Sequence, residues 1–227
     1  MSDVLLFAVL PYVALFTFFL VTIQRYRQKS FSYSSLSSQF LENKKHFWSL
    51  VPFHYGILLV LAGHIVAFLF PRELLAFNSK PVRLYILEIT ALTGGLMTVI
   101  GLIAAMVRRW TTPKIRVVTT LSDWIVYTLL FLQVAGGVYV AVAHPWGSSW
   151  FASSISPYLW SLVQLAPDIT TLEPMPWAVK FHIVNAWLLI GFFPFTRLVH
   201  VLVIPNPYLW RKPQVVRWAR RDHGHAA

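Results

Sequence analysis

Long apolar runs separated by short polar stretches dominate the chain, and the runs are continuous, as in Ile57-Leu58-Leu59-Val60-Leu61. Continuity argues for helices, because a barrel strand alternates lipid-facing with lumen-facing positions. About 20 residues of helix cross the hydrocarbon of a bilayer. Five runs reach that length, at roughly 4–23, 50–70, 84–107, 123–143 and 177–204. The expected fold is all-α: one domain over residues 1–227, a polytopic membrane protein whose five transmembrane helices form a bundle. No internal repeat is visible.

Composition agrees. Hydrophobic residues make up 57% of the chain and charged residues 12%, at a mean hydropathy of +0.61, too little polar surface to cover a water-soluble globule. The first apolar run begins almost at Met1, has Asp3 rather than a basic segment ahead of it, and exceeds a signal-peptide core in length. It reads as a retained helix. Cysteine is absent, which excludes disulfides, thiolate zinc sites and cysteine-ligated iron–sulfur clusters within this chain.

A net charge of +11 would suggest nucleic acid as a partner for a soluble protein. In a membrane protein the distribution of Lys and Arg explains it, because these residues collect in cytoplasmic loops during insertion. Arg25, Arg27, Lys29, Lys44 and Lys45 follow the first span, Arg108, Arg109, Lys114 and Arg116 the third, and Arg211, Lys212, Arg217, Arg220 and Arg221 lie in the tail. The opposite side carries Arg72, Lys80, Arg83 and Lys180. The N-terminus is therefore expected outside and the C-terminus in the cytoplasm, with lipid the only surface partner the charge requires and no nucleic acid. The longest connection, 144–176, then lies outside, with Trp146, Trp150, Phe151, Tyr158 and Trp160 among prolines and serines. It suits either an interfacial aromatic belt with a short surface helix or a lid over a lipophilic site.

Four of the eight histidines fall inside the spans: His54 and His64 on the second, His182 and His200 on the fifth. A lone intramembrane histidine is usually a hydrogen-bonded packing residue, but two pairs on two helices are harder to assign to packing. The two spans run in opposite directions. At about 1.5 Å per residue, His54 and His200 each lie about 6 Å inside the cytoplasmic boundary and can face one another. His64 and His182 mismatch by about 12 Å in depth on straight helices, a gap that tilt or a break at Pro194 would narrow.

Bis-histidine haem ligation fits this pattern, with one imidazole from each of two facing helices and the macrocycle filling the apolar gap. Zinc or copper would want three or four ligands close together. Two b-type haems stacked across the bilayer are the simplest expectation. Haem propionates need cationic partners: Arg197 precedes His200 by three residues on the same face, and Arg109 lies at the same border. Gly56 and Gly63, each near a ligand candidate, would let a flat ring approach the backbone, or serve helix packing.

The string Phe53-His54-Tyr55-Gly56-Ile57-Leu58 leading to Gly63-His64, and Phe181-His182 leading to Phe193-Pro194-Phe195-Thr196-Arg197-Leu198-Val199-His200, closely resemble the gamma subunit of respiratory nitrate reductase. The resemblance spans nearly the whole chain, including the Arg108-Arg109 pair with Pro113 and Arg116, and the closing Tyr208-Leu209 and Arg211-Lys212. It implies a dihaem cytochrome b of the inner (cytoplasmic) membrane that oxidises quinol on the outer side. Electrons would pass to an iron–sulfur beta subunit and then to a molybdenum-containing alpha subunit on the cytoplasmic face. It also implies that His54 and His200 hold the inner haem iron, His64 and His182 the outer, with Arg109 at a propionate. The family's quinol-binding lysine is matched by Lys80 or Arg83 only through gaps, so the quinol-site candidates are Gly63, His64, Lys80, Arg83 and Glu88. Glu88 is either the proton acceptor or a structural hydrogen-bonding group.

Two other readings compete. One keeps the haems but serves a different reductase or a nitrite-oxidising complex. The other, from a different class, is a non-haem transporter or structural subunit whose histidines pack.

Overall fold

The computed structural model describes residues 2–28 and 46–202, with side chains from 49 onward in the second stretch. Lys29, Lys44 and Lys45, and the closing segment with Tyr208-Leu209 and the basic tail residues, lie outside the described residues. Every described regular element is helical. Helix α1 covers Ser2–Gln28 with a π-turn at Leu5–Val9, followed by α2 (His46–Leu69), α3 (Pro71–Asn78), α4 (Pro81–Thr111), α5 (Pro113–Val117) and α6 (Leu121–Ala143). A helical run at 147–163, α7, contains a π-turn at Phe151–Ile155, and α8 is Trp177–Phe192. The five helices long and apolar enough to cross a membrane are α1, α2, α4, α6 and α8 with its short extension to Phe195.

Local chemistry sets the boundaries. Pro71, Pro81 and Pro113 open α3, α4 and α5, positions where the missing N–H has no intrahelical partner to lose. Thr120 and Asp123 form a reciprocal capping box at the start of α6. The fifth span differs most from the sequence expectation of one helix to Ile204. Its α-helix stops at Phe192, 3₁₀ turns follow at Phe193–Phe195 and Arg197–Leu202, and Thr196 between them is extended. Pro194 explains the stop, since it donates no N–H and its ring would collide with the Ile190 carbonyl.

Small residues set the tightest helix contact. A Cβ on Gly56 would lie 2.5 Å from the Gly94 carbonyl oxygen and the Thr98 hydroxyl, and one on Gly101 would lie 2.7 Å from the Ser49 carbonyl oxygen. Only glycine permits α2 and α4 to approach so closely, the kind of seam that holds helices together in lipid. Elsewhere α8 packs between α6 and α1, and α4 packs on α6. By contrast α2 and α8 share no extended packing. Large apolar side chains such as Phe16, Leu58, Ile89 and Ile100 are exposed, as lipid-facing flanks require.

The connection 144–176 is folded down onto the bundle. Tyr158 is fully buried and donates to the Phe7 carbonyl at 2.7 Å; Ser156 donates to the Ala67 carbonyl at 2.8 Å, and the Trp160 indole to that of Phe68 at 2.9 Å. Phe7, Tyr158, Leu162, Leu172, Val179 and Ile183 form one apolar core joining α1, α7 and α8. Burial pushes the Tyr158 hydroxyl up to about 12, so it remains a donor.

Candidate functional site

The bundle has two chemically different ends. At one, Lys180 at the start of α8 lies 3.8 Å from Asp3, and α7 covers the end of α2. At the other, Arg25 at the end of α1 donates to the carbonyls of Pro194 and Thr196, and Arg109 closes α4. His64 and His182 belong to the Lys180 end. His54 lies beside Phe53, which packs on Gly101, and His200 follows Arg197 by three residues, so both belong to the half toward Arg109.

Three of the rings share one arrangement. Nδ1 of His54 lies 2.7 Å from the Leu50 carbonyl oxygen, that of His64 2.8 Å from Val60, and that of His200 2.7 Å from Arg197. A ring nitrogen facing a carbonyl must donate, so in the neutral ring Nδ1 carries the proton and Nε2 keeps its lone pair. That tautomer suits a metal ligand. His64 also meets the Phe151 ring edge-on at 5.3 Å.

His182 is held differently. Its ring rests on α6, where a Cβ on Gly137 would come within 3.0 Å of Cε1. Asn185 donates to the Leu129 carbonyl at 3.0 Å and to Oε1 of Gln133 at 2.8 Å, which turns the Gln133 amide nitrogen toward Nε2 of His182 at 3.1 Å. Nδ1 is buried, with no hydrogen-bond partner among the described residues. Because Gln133 donates to Nε2, the neutral ring carries its proton on Nδ1, a buried N–H that calls for an acceptor. Among the described residues the contacts of His54 and His200 are local, and none joins them directly.

The two nearby glycines part company. Gly63 faces open space, with nothing within 4 Å of an added Cβ, whereas Gly56 is consumed by the α4 seam. Of the two roles open to Gly56, helix packing is the one it fills: its missing side chain admits the backbone of α4. The open volume beside Gly63, three rings with Nε2 available and the absence of extended packing between α2 and α8 fit a flat macrocycle. Among the described residues no group of three or more His, Cys, Asp or Glu comes together to hold a metal ion.

The arginines converge on a residue that sequence reasoning passed over. Arg109 Nη1 donates to Thr119 at 3.0 Å and lies 3.5 Å from Oδ2 of Asp123, with its guanidinium 5.1 Å from the centre of the Tyr127 ring. Arg197 Nε lies 3.2 Å from Oδ1 of Asp123, and Nη2 donates to the Val118 carbonyl at 2.9 Å.

The Ser148 N–H and hydroxyl both donate to Oε1 of Glu88, at 2.9 and 2.6 Å, and Asn78 donates to the hydroxyls of Ser148 and Ser149. The start of α7 thus reaches Glu88, and Phe151 in the same run reaches His64. Lys80 and Arg83 are exposed at the head of α4, with the Arg83 guanidinium 5.6 Å from the centre of the Phe77 ring. Besides Asp123, sequence reasoning missed Gln133, Asn185, Gly137 and Ser148. Three polar or small residues within spans, Gln133, Gly137 and Asn185, were the available signal.

Five membrane-length helices define a multi-pass helical membrane protein. The family model described as nitrate reductase gamma subunit matches residues 3–219. The chain is 31% identical over 220 residues to the nitrate reductase gamma chain of Bacillus subtilis, covering 96% of this chain and 99% of that one. It is 30% identical to the respiratory nitrate reductase 2 gamma chain of Escherichia coli, covering 96% and 98%, and 28% identical to the corresponding 1 gamma chain, covering 93% and 95%. The chain belongs to the nitrate reductase gamma subunit family, membrane subunits of an oxidoreductase complex.

Proposed function

We propose that this subunit takes electrons from membrane quinol at the Lys180 end and delivers them to partner subunits docked at the Arg109 end. The observation that carries the reading is the two-tier set of histidines on α2 and the fifth span, three of which donate from Nδ1 to a backbone carbonyl and leave Nε2 outside that bond. His54 and His200 would hold one b-type haem and His64 and His182 the other, which when bound supply one-electron carriers at two depths of the bilayer.

The residues of the chain do the rest. Oε1 of Glu88 is taken up by Ser148, leaving Oε2 as the oxygen to receive a proton as quinol loses two protons and two electrons. Gly63 leaves room beside His64 for a ring, and α7 covers that end against water. Lys80 and Arg83 stand at the adjoining edge as cationic groups for a quinol oxygen. Arg109 and Arg197 offer donors to the propionates of the inner haem. The N-terminus lies outside and the C-terminus in the cytoplasm of a cytoplasmic membrane, where an iron–sulfur beta subunit and a molybdenum-containing alpha subunit complete the path to nitrate.

The test uses membranes carrying the assembled complex. Adding quinol should reduce a b-type absorbance band of this chain, and nitrate should reoxidise it; Glu88→Gln, which still accepts from Ser148, should slow only the reduction. A band that quinol leaves oxidised, or no such band, refutes the reading and returns the transporter or structural alternative. A band that quinol reduces but nitrate leaves reduced points to another reductase.

A further inference from the structure

Asp123 is a buried carboxylate, 5% exposed in its side chain, at the head of α6. It faces one guanidinium from the end of α4 and another from the 3₁₀ segment after Pro194. These two cations come from separate elements, and side by side they would repel. The carboxylate divides its oxygens between them, Oδ1 to Arg197 at 3.2 Å and Oδ2 to Arg109 at 3.5 Å, while Oδ2 also accepts the Thr120 N–H at 2.9 Å. The capping box fixes the carboxylate, and the carboxylate fixes the arginines.

Each guanidinium is also held from a second side, Arg109 by Thr119 and Arg197 by the Val118 carbonyl. Both are thereby pre-oriented before any anion arrives, and each retains unspent N–H donors, since a guanidinium carries five. Two cations against one carboxylate leave a net positive charge in a partly buried setting, three residues from His200. Such a place favours a carboxylate over a neutral ligand.

We propose that Asp123 is the positioning residue of the inner tier: it sets Arg109 and Arg197 together to receive the carboxylate edge of the group held by His54 and His200. The inference rests on the haem reading above and adds a residue that touches neither iron nor quinol. Through the arginines, its own negative charge also tunes how readily that site accepts an electron.

The experiment is a redox titration of the full chain in its complex, following each haem band separately. Asp123→Asn retains an oxygen to accept the Thr120 N–H but removes the charge. Both haems should remain, and the inner one alone should become easier to reduce, by about tenfold in its ferrous-to-ferric ratio at fixed potential, equivalent to about 59 mV for a one-electron couple. Arg197→Gln, which leaves Asp123 and the cap intact, should shift the same haem in the opposite direction and decides the matter if the first variant does not accumulate. Two haems with no selective shift of the inner one in the variant that accumulates overturn the proposal. A native chain without haem refutes the haem reading itself, a separate result.

Discussion

The two histidine tiers solve the same problem with different chemistry. The His182 and His64 rings are held by neutral groups: a glycine floor on α6, an amide relay from Asn185 through Gln133, and α7 closing over His64 with Phe151. Around His200 the setting is ionic, with two arginines gathered on one buried carboxylate. The neutral tier is built by shape and helix register, the ionic tier by charge. Changes of volume should therefore damage the first selectively and changes of charge the second.

The largest effect expected is at Gly137. A leucine there would drive its side chain through the position of the His182 ring, since even a Cβ reaches Cε1 at 3.0 Å. Gly137→Leu should abolish the haem of that tier and leave the other, as counted by haem per chain. If both haems survive, the floor is not what seats His182.

The seam between α2 and α4 supports both tiers and provides the control. Gly101→Leu forces a side chain into the α2 backbone, where a Cβ already lies 2.5 Å from the Phe53 nitrogen. It should cost about 3 kcal/mol, at the upper end of overpacking penalties, and lower the thermal midpoint while weakening both tiers together.

Removing the amide relay should act more gently. Asn185→Leu deletes the bonds to Leu129 and Gln133 and leaves the part-buried Oε1 of Gln133 without its donor, for a loss of about 2 kcal/mol in stability. It should also broaden or shift the spectrum of the His64–His182 tier alone. An equal change in the other tier would show that the two are not separate.

The smallest effect concerns the cap over the neutral tier. The Tyr158 hydroxyl titrates near 10 when unfolded and is pushed up to about 12 by burial. Above pH 10 the unfolded state releases this proton first, so the stability it confers is complete below pH 10 and is lost between pH 10 and 12. Tyr158→Phe should flatten that part of the stability curve, measured by unfolding across alkaline pH.

Much of this was legible in the chain. Continuous apolar runs located the five spans, and histidine is expensive enough in lipid that four of them stood out. The break in the fifth span was readable at Pro194, though not the extended turn at Thr196 that follows. What could not be read was registration across helices. Nothing local in Gly136-Gly137 says that a histidine 45 residues beyond Gly137 rests there, nor does Asp123 announce two arginines from separate helices. Such pairings depend on how helices rotate against one another, which periodicity alone does not fix. The short helix α3 was missed because eight residues are too few to register as a span, although Pro71 and Glu73 carry ordinary helix-start signals.

The most direct test of the two-tier account is a dithionite-reduced minus oxidised spectrum of the purified chain, with haem counted per polypeptide in the native protein and in His64→Ala and His200→Ala. The account predicts two b-type haems, with a different one lost in each variant. A native chain carrying no haem, or a pair of variants that both retain the full complement, would contradict it.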